Sequence, residues 1–128
     1  MYFTQLPEDV QAHYVVRNEV YCKMIYPQYF EGSEGLIRVA DFVLRDIITM
    51  EKIEKIIDDG GYDLKEKVKF RQKIYDNFMA TYNGAGLSSI TFSNIANQLK
   101  EAQEELANFN KNRDSVLKEL EELIAFFK

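Results

Sequence analysis

The chain has 128 residues, 46% of them hydrophobic and 29% charged, with a formal net charge of −5. That length suits one domain, 1–128, able to bury a core without covalent staples. Two prolines and six glycines argue against disorder, and the acidic balance argues against a surface that binds nucleic acid non-specifically. Cys22 is the only cysteine, so no intramolecular disulfide is expected, and a lone thiol fits a reducing compartment. No run approaches ~18 apolar residues, and the opening MYFTQLPEDV lacks the basic-then-apolar pattern of a signal peptide. The expected location is the cytoplasm, of a cell or of an infected host, with no membrane partner.

The first predicted helix covers residues 7–26. Pro7 serves as its first residue, and Glu8 and Asp9 sit against the positive end of its dipole. Val10, Tyr14, Arg17, Tyr21 and Met24 form its stripe, with Val16 and Val20 beside them. Pro27 disfavours helix at Tyr26 and ends it. Tyr29 and Phe30 in the connector are expected to pack down.

The second predicted helix, residues 33–58, is the expected centre of the fold, with Ser33 as its N-cap. At about 100° per residue, Leu36, Ala40, Val43, Ile47 and Met50 share one stripe. Ile37, Leu44 and Ile48 widen it on one side, and Val39, Phe42, Ile53 and Ile57 on the other. The apolar face is roughly twice the ~100° that a surface helix needs, which predicts neighbours on two or three sides. Asp58-Asp59-Gly60-Gly61 is read as its end, with a glycine in the left-handed cap. Asp63 followed by Glu66 then resembles a capping box opening a third helix, residues 63–83. Leu64, Val68, Tyr75, Phe78 and Tyr82 form its stripe, and Asn83-Gly84 closes it.

From residue 91 to 127 a four-three spacing runs unbroken through Phe92, Ile95, Leu99, Ala102, Leu106, Phe109, Arg113, Val116, Leu120, Leu123 and Phe127. Arg113 is its one charged member, inside the polar dip Asn108 to Asp114. No glycine or proline interrupts the dip, so one continuous helix is expected. The fold class is therefore all-α: an antiparallel up-down bundle of about four helices with a long, coiled-coil-like C-terminal helix.

The catalytic inventory is sparse. His13 is the only histidine, and Cys22 lies nine residues on, about 13 Å along one helix. That is too far for a Cys-His pair. The paired Glu-x-x-His of bundle metal sites is absent, and Asp41 and Asp46 fall on different faces. The loop Gly84 to Ser89 follows a helix and lacks a Gly-Lys-Ser/Thr ending, so it reads as a plain turn. Every carboxylate fits a solvated face or a cap. A protein without catalytic, cofactor or metal sites is expected.

Charge is unevenly spread: residues 63–87 hold five basic against three acidic groups. Lys65, Lys69 and Lys73 lie along one ridge, a candidate for an anionic partner, although no aromatic interleaves there for base stacking. Lys67 and Arg71 fall near an apolar stripe, and a buried cation needs a partner. Asp46, set among Val39, Phe42, Ile53 and Ile57, is the candidate to pair with Arg71; otherwise both reach solvent.

The last helix, roughly 57 Å long, exceeds its expected neighbours. The part from Phe109 onward is predicted to lack cover, leaving Val116, Leu117, Leu120, Leu123, Ile124 and Phe127, with Phe126, for a second copy. The function expected is a non-catalytic protein-interaction or assembly module that acts through helix-helix contacts and self-associates as a homo-oligomer. The alternatives are an accessory protein touching nucleic acid through the basic third helix, or a small acidic inhibitor that blocks a nucleic-acid-binding partner. A compact acidic bundle would suit a viral accessory protein, encoded by a phage, or a plasmid accessory protein.

Overall fold

The computed structural model describes residues 1–30, 34–81 and 89–128. Those residues form four helices and no strand. Helix α1 spans residues 8–25, as α-helical Glu8–Val15, a π-helical turn Val16–Val20 and α-helical Tyr21–Ile25. The others are α2, Glu34–Leu44, α3, Met50–Thr81, and α4, Ser89–Phe127. Among the described residues no helix is long and apolar enough to cross a membrane. Ser33, Tyr82 and the closing Asn83-Gly84 lie outside the described residues.

The buried face of α1 keeps Val16, Val20 and Met24 of the predicted one and departs from it elsewhere. Ala12, Val15, Val16, Val20, Met24 and Ile25 are buried, while Val10, Tyr14 and Arg17 are exposed. Ala12, Val16, Val20 and Met24 recur every four residues, which in a regular α-helix drifts around the axis. The wider π turn at 16–20 underwinds the helix and keeps these residues on one face. Tyr29, expected to pack down, is exposed beside Tyr26, with ring centroids 6.3 Å apart.

The central helix read over 33–58 is two helices, and the end expected at Asp58 to Gly61 is helix interior. The break falls at Arg45 to Thr49. Asp46 takes φ 57°, the left-handed region. Its N–H donates to the Val43 carbonyl at 3.0 Å, and the Ile47 N–H to the Phe42 carbonyl at 3.0 Å. That bond pattern is a Schellman ending with aspartate in the place glycine usually fills. Thr49 then caps α3, its Oγ1 accepting from the Lys52 N–H at 3.3 Å. The left-handed conformation costs a residue with a Cβ roughly 1–2 kcal/mol, less for aspartate. Asp46→Gly is therefore expected to raise stability by about 0.5–1 kcal/mol after its larger unfolded freedom is counted, and Asp46→Val to lower it. A thermal melt of each reads the sign.

Helix α3 runs through Gly60 and Gly61 because α1 and α4 press on it there. A Cβ on Gly61 would lie 2.7 Å from Phe109 Cε1, and one on Gly60 would lie 3.2 Å from the Tyr21 ring. The glycines admit two aromatic rings, and Asp63 lies mid-helix instead of capping a new one. Read up α3, the partners on α4 descend: Asp58 meets Arg113, Lys67 meets Glu105, Arg71 meets Gln98 and Tyr75 meets Phe92. The two longest helices are antiparallel neighbours.

Helix α4 is continuous through the polar dip. Arg113, charged in an apolar seam, donates to Asp58 at 2.8 Å and Asp114 at 3.0 Å, and both raise its pKa. Asn112 Nδ2 donates to the Met24 carbonyl at 2.6 Å, and Asn108 Nδ2 lies 3.4 Å from the Ile25 carbonyl. These asparagines supply donors to the last carbonyls of α1, which its own helix cannot satisfy.

One apolar cluster unites α1, α2, the first half of α3 and the second half of α4. Val16, Val20, Met24, Val39, Ile53 and Leu120 are among its fully buried members. Helix α2 approaches α1 closely at Gly35, where a Cβ would stand 2.7 Å from Glu19 Oε2. Glu19 Oε1 accepts from Arg38 at 2.7 Å, while its buried Oε2 has no partner. Burial raises the Glu19 pKa, and Arg38 offsets only part of that. Between the ordinary carboxylate value and the raised one, the folded state holds a proton that the unfolded state has released. Stability from this group thus grows as pH falls through that window. Glu19→Gln is expected to flatten this dependence, so that its denaturation midpoint and the wild type's converge as pH falls toward 4.5.

Candidate interaction surface

The body stops near Leu64 on α3 and Phe109 on α4, and both helices continue past it as a two-helix arm. Thr81 lies about 25 Å further along α3 than Leu64. Within the arm, α3 and α4 pair along their length. Leu64, Leu99 and Ala102 are buried by this pairing. Lys67 Nζ reaches Glu105 at 3.1 Å, and Arg71 Nη1 donates to Gln98 at 2.9 Å. Phe92 sits 6.2 Å from Tyr75 and 6.0 Å from Phe78, ring to ring.

A second seam of α3 follows the same four-three spacing: Ile56, Gly60, Asp63, Lys67, Phe70 and Ile74. In the body, α1 covers it. Tyr21 lies over Gly60, and Arg17 comes within 3.7 Å of Asp63. Burial and the charge of Glu105 push the Tyr21 hydroxyl pKa up to about 12. Helix α1 ends at Ile25, and the seam goes on without it. Phe70 is 59% exposed, with the Arg71 guanidinium 5.7 Å from its ring centre, and Ile74 is half-buried. Beside the end of α1, a separate hollow of α4 presents Glu101, Glu104, Glu105 and Asn108 next to Ile25 and Tyr26.

The six residues nominated for a second copy are placed differently from the expectation. Val116, Leu117, Leu120 and Ile124 are buried within one chain, and Leu123 is half-buried against the same cluster. They belong to the cluster formed with the other helices, so a face made of these side chains is not open to a second copy. Only Phe127, 48% exposed, and Phe126, 81% exposed, remain accessible there. The comparison of helix lengths located the overhang at the wrong end of α4. The long partner is α3, and it overhangs together with the N-terminal half of α4.

The Asp46–Arg71 pair does not form. Asp46 sits exposed in the turn before α3, and Arg71 lies about 30 Å up that helix, bonded to Gln98. Lys65, Lys69 and Lys73 are exposed, and Lys69 reaches Glu66 at 3.3 Å. Contrary to the sequence reading, aromatics do flank this ridge, since Tyr62 and Phe70 are both exposed beside it. His13 is exposed in a cleft of about 480 Å³ between α1 and α3, rimmed by Asp9, Asp59, Lys52 and Lys55 over Ile48. Cys22 is half-buried, and burial raises its thiol pKa. The Gly84 to Ser88 part of the predicted turn lies outside the described residues. Among the described residues no three of His, Cys, Asp and Glu come together as metal ligands would. No protein family, curated protein or solved structure matches the chain.

Proposed function

We propose that this protein is a non-catalytic interaction module whose working part is the arm formed by the distal half of α3 and the proximal half of α4. The observation that carries this reading is the second seam: the stripe that α1 seals in the body continues as Phe70, 59% exposed, and the half-buried Ile74. A helix laid along that stripe would extend the packing that α1 begins, which is how an amphipathic helix seats in a groove. The body is read as an up-down-up-down bundle that holds the arm. Support comes from Glu8 pairing with Arg45 and Glu19 with Arg38 across α1 and α2, and from the descending pairs of α3 and α4.

Affinity capture from the native host tests this. The wild type is compared with Phe70→Glu/Ile74→Glu, two changes at solvent-accessible positions that leave the body intact. A protein retained by the wild type and lost by the double variant is expected. Retention that ignores the double variant overturns the arm as the working surface. A second reading, contact with nucleic acid along Lys65, Lys69 and Lys73, gains from the exposed Tyr62 and Phe70 beside them. Retention on heparin that falls with salt, and falls further with Lys69→Glu/Lys73→Glu, would favour it.

A further inference from the structure

We infer that the occupant of the arm's open groove is a second copy of the same arm, packed two-fold to complete a four-helix bundle. This rests on the interaction reading and names its partner. Three observations converge on a copy of this chain. First, the groove is the continuation of a seam already shaped for a helix, since α1 fills its lower part down to Gly60. Second, the two walls of the arm carry opposite charge. Residues 65–81 of α3 hold five basic groups against two acidic ones, and residues 91–108 of α4 hold three acidic groups against Lys100 alone. A two-fold operation places the basic α3 of one copy against the acidic α4 of the other. Both interfaces are then complementary at once, as an isologous contact requires. Third, each wall already makes this kind of pair within the chain, Lys67 with Glu105, while Glu101 and Glu104 remain exposed beside the end of α1. They are in place to meet the partner copy's lysines.

The geometry also limits the alternatives. A groove flanked by acids on one wall is poorly matched to a polyanion, and a purely basic peptide would meet repulsion along α3. A chain carrying both signs on two adjacent helices fits both walls, and this chain is one.

Light scattering coupled to size exclusion, at tens of micromolar and low salt, tests the inference. The expected mass is twice the 15.0 kDa of one chain. Phe70→Glu/Ile74→Glu should return it to one chain with an unchanged helical signal. Glu101→Lys/Glu104→Lys, at exposed positions, should weaken association at least tenfold by making both walls basic. A wild type that stays at one chain under these conditions overturns the second copy. If the arm double variant still abolishes capture of a host protein, the interaction reading survives that result. A dimer indifferent to both sets of substitutions overturns the inference and the arm together.

Discussion

Leu120→Glu is expected to unfold the protein. Leu120 is fully buried in the body, in the cluster that residues of all four helices share. A carboxylate there would have no cation to pair with and would cost several kcal/mol. A domain of this size holds only about 5–15 kcal/mol in total. The milder Leu120→Ala should cost about 2–5 kcal/mol, the usual range for a large-to-small change in a core. Far-UV dichroism and a thermal melt decide. If Leu120 instead lay at a junction between two copies, the glutamate would leave the helical signal intact and change only the mass. A helical, cooperatively melting Leu120→Glu monomer contradicts the placement of Leu120 in the body.

The second large effect concerns the crossing of α3, α1 and α4. Phe109→Ala should cost about 3–5 kcal/mol, because the ring is buried against Gly61 and faces Tyr21 at 6.3 Å. Gly61→Leu should cost about 1–3 kcal/mol by overpacking, although removing a helical glycine returns about 1 kcal/mol of propensity. The two changes are coupled. In the Phe109→Ala background the new leucine enters space that the ring has left, so Gly61→Leu should cost much less there than alone. Urea denaturation of the four proteins measures the coupling. Additive costs would mean that the glycine admits the ring for no energetic reason.

The parts of this fold that the sequence made legible are those whose pattern is local and unbroken. The α4 spacing from Phe92 to Phe127 is such a pattern, and its single charge, Arg113, meets Asp58. The break before α3 was hidden because the Schellman ending uses Asp46, with no glycine or proline to mark it. Gly60 and Gly61 looked like a stop because a glycine that ends a helix and one that admits a neighbouring ring are the same letter. Only Tyr21 and Phe109, far along the chain in each direction, tell them apart. Asn108 and Asn112 fall in the polar dip of that pattern, and what they serve, the carbonyls of Met24 and Ile25, lies far along the chain. The candidate surface was hidden for a similar reason. Its stripe is interrupted by Gly60, Asp63 and Lys67, so Phe70 and Ile74 look like isolated apolar residues until α1 shows which face they continue. The overhang itself was foreseen from helix length but assigned to Val116 through Phe127, since dividing the chain at Gly60-Gly61 made α3 too short to overhang anything.

Hydrogen exchange separates the arm from every other candidate face most directly. Amide exchange is measured on the dilute chain and again in the assembled state, whether that state is reached by concentration or by adding the captured partner. The protein's interaction through the arm predicts slowing confined to residues 65–81 of α3 and 91–106 of α4, with residues 12–25 and 109–124 unchanged. Slowing centred on α1 or on residues 116–127, with the arm exchanging as before, would contradict it.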